Sequence, residues 1–512
     1  MVTTGNSKSV LKDTRGGVIM NESTTMNRAL GLSSCITITA GAVIGVGLFT
    51  TGSSAAASMG SSAIIATIIA FLMVLWPSMI YGELGAALPL AGGTYAFAKR
   101  GINYPVAIFC SWHYTVAQIG IAGAEALAFA NYFGRLLHFL NINVVVNEKI
   151  LASVLIIIFV VINYLGIETA GKWQNVFMFF FWGMSTIWFF MVLKNVDMGH
   201  FMPVLSGIPH EVTSFAKLIV AIWWCFAGFE TVVGMGSEIE FPQITIPRAL
   251  IISPFIVFGV NALFQWFLIG ITPLEALGAV SEATAPFAEA MEMAGLVGVP
   301  AVVLCLGITF GGDFSTMNPC ITGPSRYMYT MAADGCFPKV FGKLHPKHKS
   351  PYISVLTVGI IALFLIWSGS ISIIAAMCAF SQMICYIIGY ISYLQLYKKE
   401  PDLKRPWKVP AGKAGAVISI IVYLAIMVLA VDWSALPYNI VLSVACIIYY
   451  FVAVRNKPIS ETGIEIEKEA MQITEPTPEE KKRLDRQFHA WRIGAIAVFV
   501  LSCGLFIIGI AL

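Results

Sequence analysis

The chain has 512 residues, 58% of them hydrophobic and only 12% charged, where a soluble domain carries about 25% charged residues. That excludes a water-soluble globule: no core of this size buries so much apolar side chain, and lipid must take the rest. A net charge of +3 argues against a nucleic-acid partner, and ten cysteines with no CxxC pair, most of them in apolar runs like those around Cys225, Cys305 and Cys446, read as small buried hydrophobes rather than disulfides or metal ligands.

Residues 1–27 are polar and lack the apolar stretch of a signal peptide. A helix needs about 20 apolar residues to cross a bilayer. Thirteen such stretches follow, at 29–51, 63–88, 104–133, 150–168, 174–194, 214–236, 249–272, 299–323, 352–368, 371–397, 414–432, 436–454 and 493–512, the ninth and tenth parted only by the turn Trp367–Ser370. The expected organisation is a cytoplasmic tail 1–27, spans 1–5 in 28–200, spans 6–10 in 201–397, spans 11–12 in 398–455, a cytoplasmic linker 456–492 and an extra span 493–512. The linker run Pro478–Arg486 reads as a solvated helix at the membrane surface.

With the N-terminus in the cytoplasm, strict alternation places 27 of the 31 Lys and Arg on the cytoplasmic side and leaves Arg135, Lys149, Lys194 and Lys217 outside. Basic residues resist translocation, so this bias supports a multi-pass protein of the plasma or inner membrane with its C-terminus outside. The loop after span 7 carries Glu275, Glu282, Glu289 and Glu292 without a Lys or Arg, as an outer loop should. His345 and His348 sit among lysines, which points to a basic loop rather than a metal site.

Two spans look interrupted. Span 1 holds Ala40-Gly-Ala-Val-Ile-Gly-Val-Gly47, and span 6 holds Trp224-Cys-Phe-Ala-Gly-Phe-Glu230 followed by Gly234 and Gly236. Each glycine costs a helix about 1 kcal/mol. In lipid a broken helix survives only where its freed backbone groups line a cavity or are buried in protein. Breaks five spans apart fit an inverted repeat, spans 1–5 against 6–10, with a ligand held between spans 1 and 6 at mid-membrane. Free N–H groups at a half-helix suit a carboxylate and freed carbonyls suit an ammonium, and an α-amino acid offers both. The competing reading is that these glycines only let helices pack closely.

Gly41-Ala-Val-Ile-Gly-Val-Gly-Leu-Phe49 resembles the span 1 motif of the amino acid–polyamine–organocation superfamily. Tyr81-Gly-Glu-Leu84 with Pro89 and Ala91-Gly-Gly93 resembles the end of its span 2. Trp224-x-Phe-x-Gly-x-Glu230 is similar to its span 6, Glu240-Phe-Pro242 with Pro247-Arg-Ala249 to the loop that follows. Gly323-Pro-Ser-Arg326 through Asp334-Gly335 and His345-Pro346 resembles the loop after span 8, and Pro401–Arg405 the loop after span 10. The resemblance covers about residues 28–455. It implies an all-α polytopic protein with the LeuT-type 5+5 inverted repeat, spans 1 and 6 broken, and additional C-terminal spans.

Carried over residue by residue, the resemblance implies a carboxylate cradle at Val43, Gly45, Val46 and Gly47. It implies an ammonium site at Trp224, Phe226, Ala227 and Gly228, with Trp224 as an aromatic gate and Trp223 as a packing residue. Many family members carry a lysine near the middle of span 5; alignment on Asn175-Val176 puts Phe181 there, and no Lys lies between Lys172 and Lys194.

Four carboxylates fall inside spans: Glu83, Glu125, Glu230 and Asp313. A charge at mid-bilayer costs at least about 2.5–3.5 kcal/mol, so these acids are protonated, hydrated or neutralised by a cation that comes and goes. Gln118, Ala122 and Glu125 stand at i, i+4 and i+7 on one stripe of span 3, which by the resemblance faces the substrate. Glu83 reads as structural. Glu125, Glu230 and Asp313 are candidates for proton coupling. Ser315 and Thr316, with span 1 carbonyls, offer oxygen ligands for sodium. Asn318 and Met317 are the span 8 candidates for touching substrate.

The reading is a secondary active transporter, not an enzyme, with no cofactor. Its partners are a small amino acid or amine, a proton, sodium or counter-substrate, and the bilayer. Buried acids without a buried base favour a neutral or cationic substrate. The alternatives are a sodium-coupled symporter, or a transporter-like sensor that binds without moving its ligand.

Overall fold

The computed structural model describes residues 26–45, 47–144, 146–202, 207–368, 371–430, 433–457 and 460–511. Most of the expected tail 1–27, Val46 and residues 369–370 of the expected turn lie outside the described residues. Among the described residues the chain is helical, and only two isolated bridges, Leu30 with Ile239 and Ala91 with Met235, pair in β fashion.

The helices in chain order are α1 (Leu32–Gly41), α2 (Ala63–Ala87), α3 (Thr94–Gly101), α4 (Tyr104–Phe139), α5 (Glu148–Tyr164), α6 (Ile167–Val192), α7 (Val212–Trp223) and α8 (Pro242–Ile271). They continue with α9 (Val299–Gly307), α10 (Phe314–Ala333), α11 (Tyr352–Ser368), α12 (Ile371–Lys399), α13 (Gly412–Leu429), α14 (Leu436–Tyr449), α15 (Glu461–Ala470) and α16 (Pro478–Ala511), with shorter turns between. Among the described residues nine helical segments are long and apolar enough to cross a membrane, against the thirteen stretches read from sequence. The other four stretches are helical too, and each falls short for a physical reason. The first stops at Gly41 after 10 residues. Both α5 and α11 have 17 residues, which span about 26 Å at 1.5 Å per residue. The long helix α4 buries Ser111, His113, Gln118 and Glu125, which lower its apolar character. The protein is thus an all-helical, multi-pass membrane protein.

Its lipid-facing surface is apolar: Phe190 and Val452 are 76% and 83% exposed, and a surface of such residues belongs in a bilayer. The interior is organised around α8, which is apolar on all sides and buried along nearly its whole length, as a helix surrounded by other helices must be. One side of α8 packs on α1 and α2, another on α16. Small residues permit that last contact. A Cβ at Gly259 would collide with Val498, Ser502 donates to the Gly259 carbonyl at 3.1 Å, and Phe499 fits among Phe71, Phe255 and Phe258.

The linker run expected as a separate surface helix is the first part of α16. Pro478–Arg486 continues without a break into the apolar stretch, so the helix has 34 residues. A second helix, α15, precedes it in the linker.

Candidate functional site

Both glycine-rich segments interrupt their helices. After Gly41 the chain turns, then resumes as a wide π-type turn at Gly47–Gly52 and a short helix at Ser53–Met59. After Trp223 a single tight turn at Trp224–Phe226 gives way to an extended Ala227 (φ −79°, ψ 147°) and a left-handed Gly228 (φ 115°), before a second tight turn at Phe229–Val232. Gly228 is the position where glycine is required, since residues with a Cβ avoid that dihedral.

The two breaks meet. A Cβ on Gly228 would lie 2.7 Å from the Ala42 carbonyl oxygen, and one on Gly47 would lie 3.2 Å from the Trp224 ring. Buried side chains catch the freed backbone groups, as lipid demands. Gly228 N–H donates to the Tyr386 hydroxyl at 2.9 Å, and Asn261 donates to the Cys225 carbonyl at 3.1 Å. Thr316 Oγ1 lies 2.7 and 2.8 Å from the Gly41 and Ile44 carbonyls. Trp223, as read, packs: its Nε1 donates to Tyr423.

Between the breaks lies a cavity of about 20 Å³, room for about one water. Ala42, Val43 and Gly47 border it from the first break and Trp224, Ala227 and Gly228 from the second. Gln118, Ile121 and Glu125 of α4, Thr316 of α10 and Gln382 of α12 complete the wall. Trp224 also bounds a larger open depression of about 430 Å³, together with Lys217, Phe380 and Met383. Among the described residues Trp224 is the one that borders both spaces.

The candidate residues divide accordingly. Val43, Gly47, Gln118, Glu125, Trp224, Ala227 and Gly228 border the cavity. Gly45 abuts it: a Cβ there would strike Thr316 Oγ1 and the Glu125 carboxylate. Ala122, Phe226 and Met317 are buried without reaching the cavity wall. Asn318 turns away from it, donating to the Ala170 carbonyl at 3.0 Å and to Gln174 at 2.9 Å while accepting from Asn163 at 3.0 Å. Ser315 donates to the Gly312 carbonyl.

The buried acids have different surroundings. Glu230 accepts from Gln382 and Tyr386. Asp313 is fully buried beside Glu125, and among the described residues neither of its carboxyl oxygens has a hydrogen-bond partner. Glu83 accepts from Tyr393, Tyr397 and the Val409 amide, with Arg405 at 3.6 Å, which fits its structural reading.

Sequence reasoning missed several residues. Gln382 and Tyr386 lie more than 150 positions from Glu230, and no local pattern marks them. Arg326, counted with the basic loop, is completely buried in α10 and forks onto Glu238 at 2.9 and 3.0 Å. Phe181 sits in an aromatic cluster with Phe49 and Phe264. The polar residue that α6 sends between α1 and α10 is Gln174, whose amide donates to the Thr37 and Ser315 carbonyls at 3.0 Å each.

Residues 30–453 match the amino acid permease family. The chain belongs to that family. Among curated relatives, this permease is 22% identical over 459 residues to a branched-chain amino acid permease of Bacillus subtilis (strain 168), covering 85% of this chain and 95% of the relative. It is 22% identical to a methylthioribose transporter of the same organism, over 86% and 96% of the two chains. It is 25% identical to a glutamate/serine transporter, again from Bacillus subtilis, over 75% and 74%. The permease is therefore a membrane transporter of amino acids rather than an enzyme, and the match stops before the linker and α16.

Proposed function

We propose that the permease moves a neutral or cationic amino acid, or a related small amine, by alternating access around the two facing breaks. The observation that carries this reading is the contact of Gly228 with Ala42 across a cavity walled by both interrupted segments. In the proposed LeuT-type arrangement, α1 to α6 and α7 to α12 are inverted repeats, with the N-terminus cytoplasmic and the C-terminus outside. The first break, Val43 to Gly47 (Val46 included, though outside the described residues), takes the substrate carboxylate. The Trp224, Ala227 and Gly228 stretch takes the ammonium through its carbonyls. Gln118 and Glu125 face the remainder of the substrate.

The cavity is too small for an amino acid, so substrate entry requires rearrangement. A swing of Trp224 joins the cavity to the open depression, which assigns this indole as the outer gate. On coupling, proton movement or exchange is favoured over sodium. The oxygens a sodium ion needs at α1 and α10 are already engaged: Gln174 holds the Thr37 and Ser315 carbonyls, and the Thr316 hydroxyl lies on those of Gly41 and Ile44. The Glu125–Asp313 contact is the proposed coupling element.

The test is uptake of a labelled amino acid and amine panel into proteoliposomes, under imposed proton or sodium gradients and with preloaded counter-substrate. Saturable uptake of a neutral or cationic member, stimulated by a proton gradient or counter-substrate, is expected. Stimulation by sodium alone overturns the coupling assignment. Saturable binding without flux in any arrangement identifies a sensor instead.

A further inference from the structure

We propose that the linker following α14 is a strap that holds the cytoplasmic side of the permease closed and must lift for substrate to leave; this rests on the alternating-access reading above. The linker lies beyond the residues matched to the family, so the family match gives it no role.

Its course joins pieces that alternating access has to separate. At the start, Ser460 N–H donates to the Asp334 carbonyl at the end of α10, at 3.2 Å. Helix α15 then packs so closely that a Cβ on Gly463 would collide with the Asp334 carboxylate and lie 3.1 Å from the Ala333 carbonyl oxygen. One turn on, Glu467 meets Lys99 of α3 at 2.8 Å, and Lys99 is held from the other side by Asp334 at 3.1 Å. At the far end, Arg28, just before α1, donates to the Ala470 carbonyl at 2.7 Å. The same guanidinium holds the Gly236 and Ile239 carbonyls at 3.2 and 3.0 Å, in the segment after the second break. Beyond it, Gln243 at the head of α8 donates to the Thr474 carbonyl at 3.2 Å.

The strap is thus tied at one end to α10 and at the other to the entry of α1 and the chain between the second break and α8. Opening the cytoplasmic side parts the broken helices from α10 and stretches the strap between its ties. Lys99 with Asp334 and Glu467 is the centre of the clasp. The side chains of Lys99 and Asp334 are buried and that of Glu467, which also has Arg100 at 3.5 Å, is half-buried; lifting the strap takes away one of the two anions around Lys99.

The test needs no knowledge of the substrate. A reporter cysteine replaces Thr231, which is buried just past the second break and is bonded by the Tyr114 hydroxyl. Its alkylation by a membrane-impermeant maleimide is timed in inside-out vesicles, net of the signal from the chain without the reporter. Gly463→Val, which forces α15 off Asp334, is expected to speed alkylation severalfold. Glu467→Gln, which removes the charge without adding bulk, gives a smaller rise and covers the case in which Gly463→Val fails to fold. Unchanged alkylation in folded Gly463→Val and Glu467→Gln protein overturns the strap. Faster alkylation in protein that transports nothing supports the strap and counts against the transport reading, so the two failures are distinguishable.

Discussion

Two acid sites flank the central cavity, and they are built on opposite principles. Glu230 is saturated: Gln382 and Tyr386 donate to its two oxygens, and the same Tyr386 hydroxyl accepts from the Gly228 amide. It is wired into the second break and holds its shape. On the other side Asp313 lies buried beside Glu125, and Glu125 in turn lies against Thr316 and Gly45. Two neighbouring carboxylates cannot both stay charged, and among the described residues neither Asp313 oxygen has a hydrogen-bond partner. In the proposed mechanism this difference makes Glu230 the positioning acid and Glu125 with Asp313 the coupling pair, although a sequence shows only four acids in apolar stretches.

The largest predicted effect strikes the side of Glu125 and Asp313. Gly45→Val places branched carbon where Thr316 Oγ1 and the Glu125 carboxylate already lie, so substrate binding should be lost altogether, as measured by equilibrium binding or scintillation proximity. Retained affinity breaks the assignment of a cradle at the first break. A third acid calibrates the comparison. Glu238 is saturated by one cation, Arg326, with both side chains buried. Arg326→Met strands that charge and should cost about 3–5 kcal/mol of stability, read as a lowered unfolding temperature in detergent.

Tyr386→Phe probes the saturated site more gently. It removes one donor to Glu230 and the acceptor of Gly228 N–H together, a loss of about 1–3 kcal/mol that should weaken substrate affinity roughly 5- to 150-fold without abolishing flux. Glu125→Gln should have the opposite profile: near-normal affinity for a neutral substrate, and loss of the response to a proton gradient. If Glu125→Gln keeps that response while Glu230→Gln loses it, the roles of the two sites are reversed.

The breaks were legible in the chain because glycine is a local signal, and Gly228 does adopt the left-handed dihedral that only glycine takes freely. The stripe Gln118–Glu125 was half legible: helical spacing put its ends on the cavity, but Ala122 between them stays behind the wall. Asn318 reads as a span 8 candidate for touching substrate, yet its amide is consumed by α5 and α6. What could not be read were partners distant in sequence. Gln174 for α1, Tyr386 for Glu230 and Arg326 for Glu238 are each matched only once helices are packed, and neither hydropathy nor spacing carries that information.

The smallest predicted effect concerns pH, and it turns on an acid of the saturated kind outside the membrane. Asp334 faces Lys99 and the Tyr95 hydroxyl, with Glu467 nearby, and burial pushes its carboxyl above the usual carboxylate range even though Lys99 pulls the other way. A carboxyl raised by burial takes up a proton more readily with the strap docked than when solvated. Its contribution to docking is therefore greatest below the ordinary carboxylate range and fades as pH rises through the raised value. Acidification from neutrality should tighten the strap modestly and slow maleimide entry at Thr231→Cys. Asp334→Asn should flatten that dependence, because the neutral amide never carries the charge that burial penalises. Lys99→Met should do the reverse of stabilising: it takes away the cation shared by Asp334 and Glu467 and leaves, among the described residues, only Arg100, 3.5 Å from Glu467, so alkylation should be faster at neutral pH and should slow as Asp334 takes up a proton. If all three chains gave the same pH profile, the clasp would have no electrostatic component, and only the packing of Gly463 on Asp334 would remain to hold the strap.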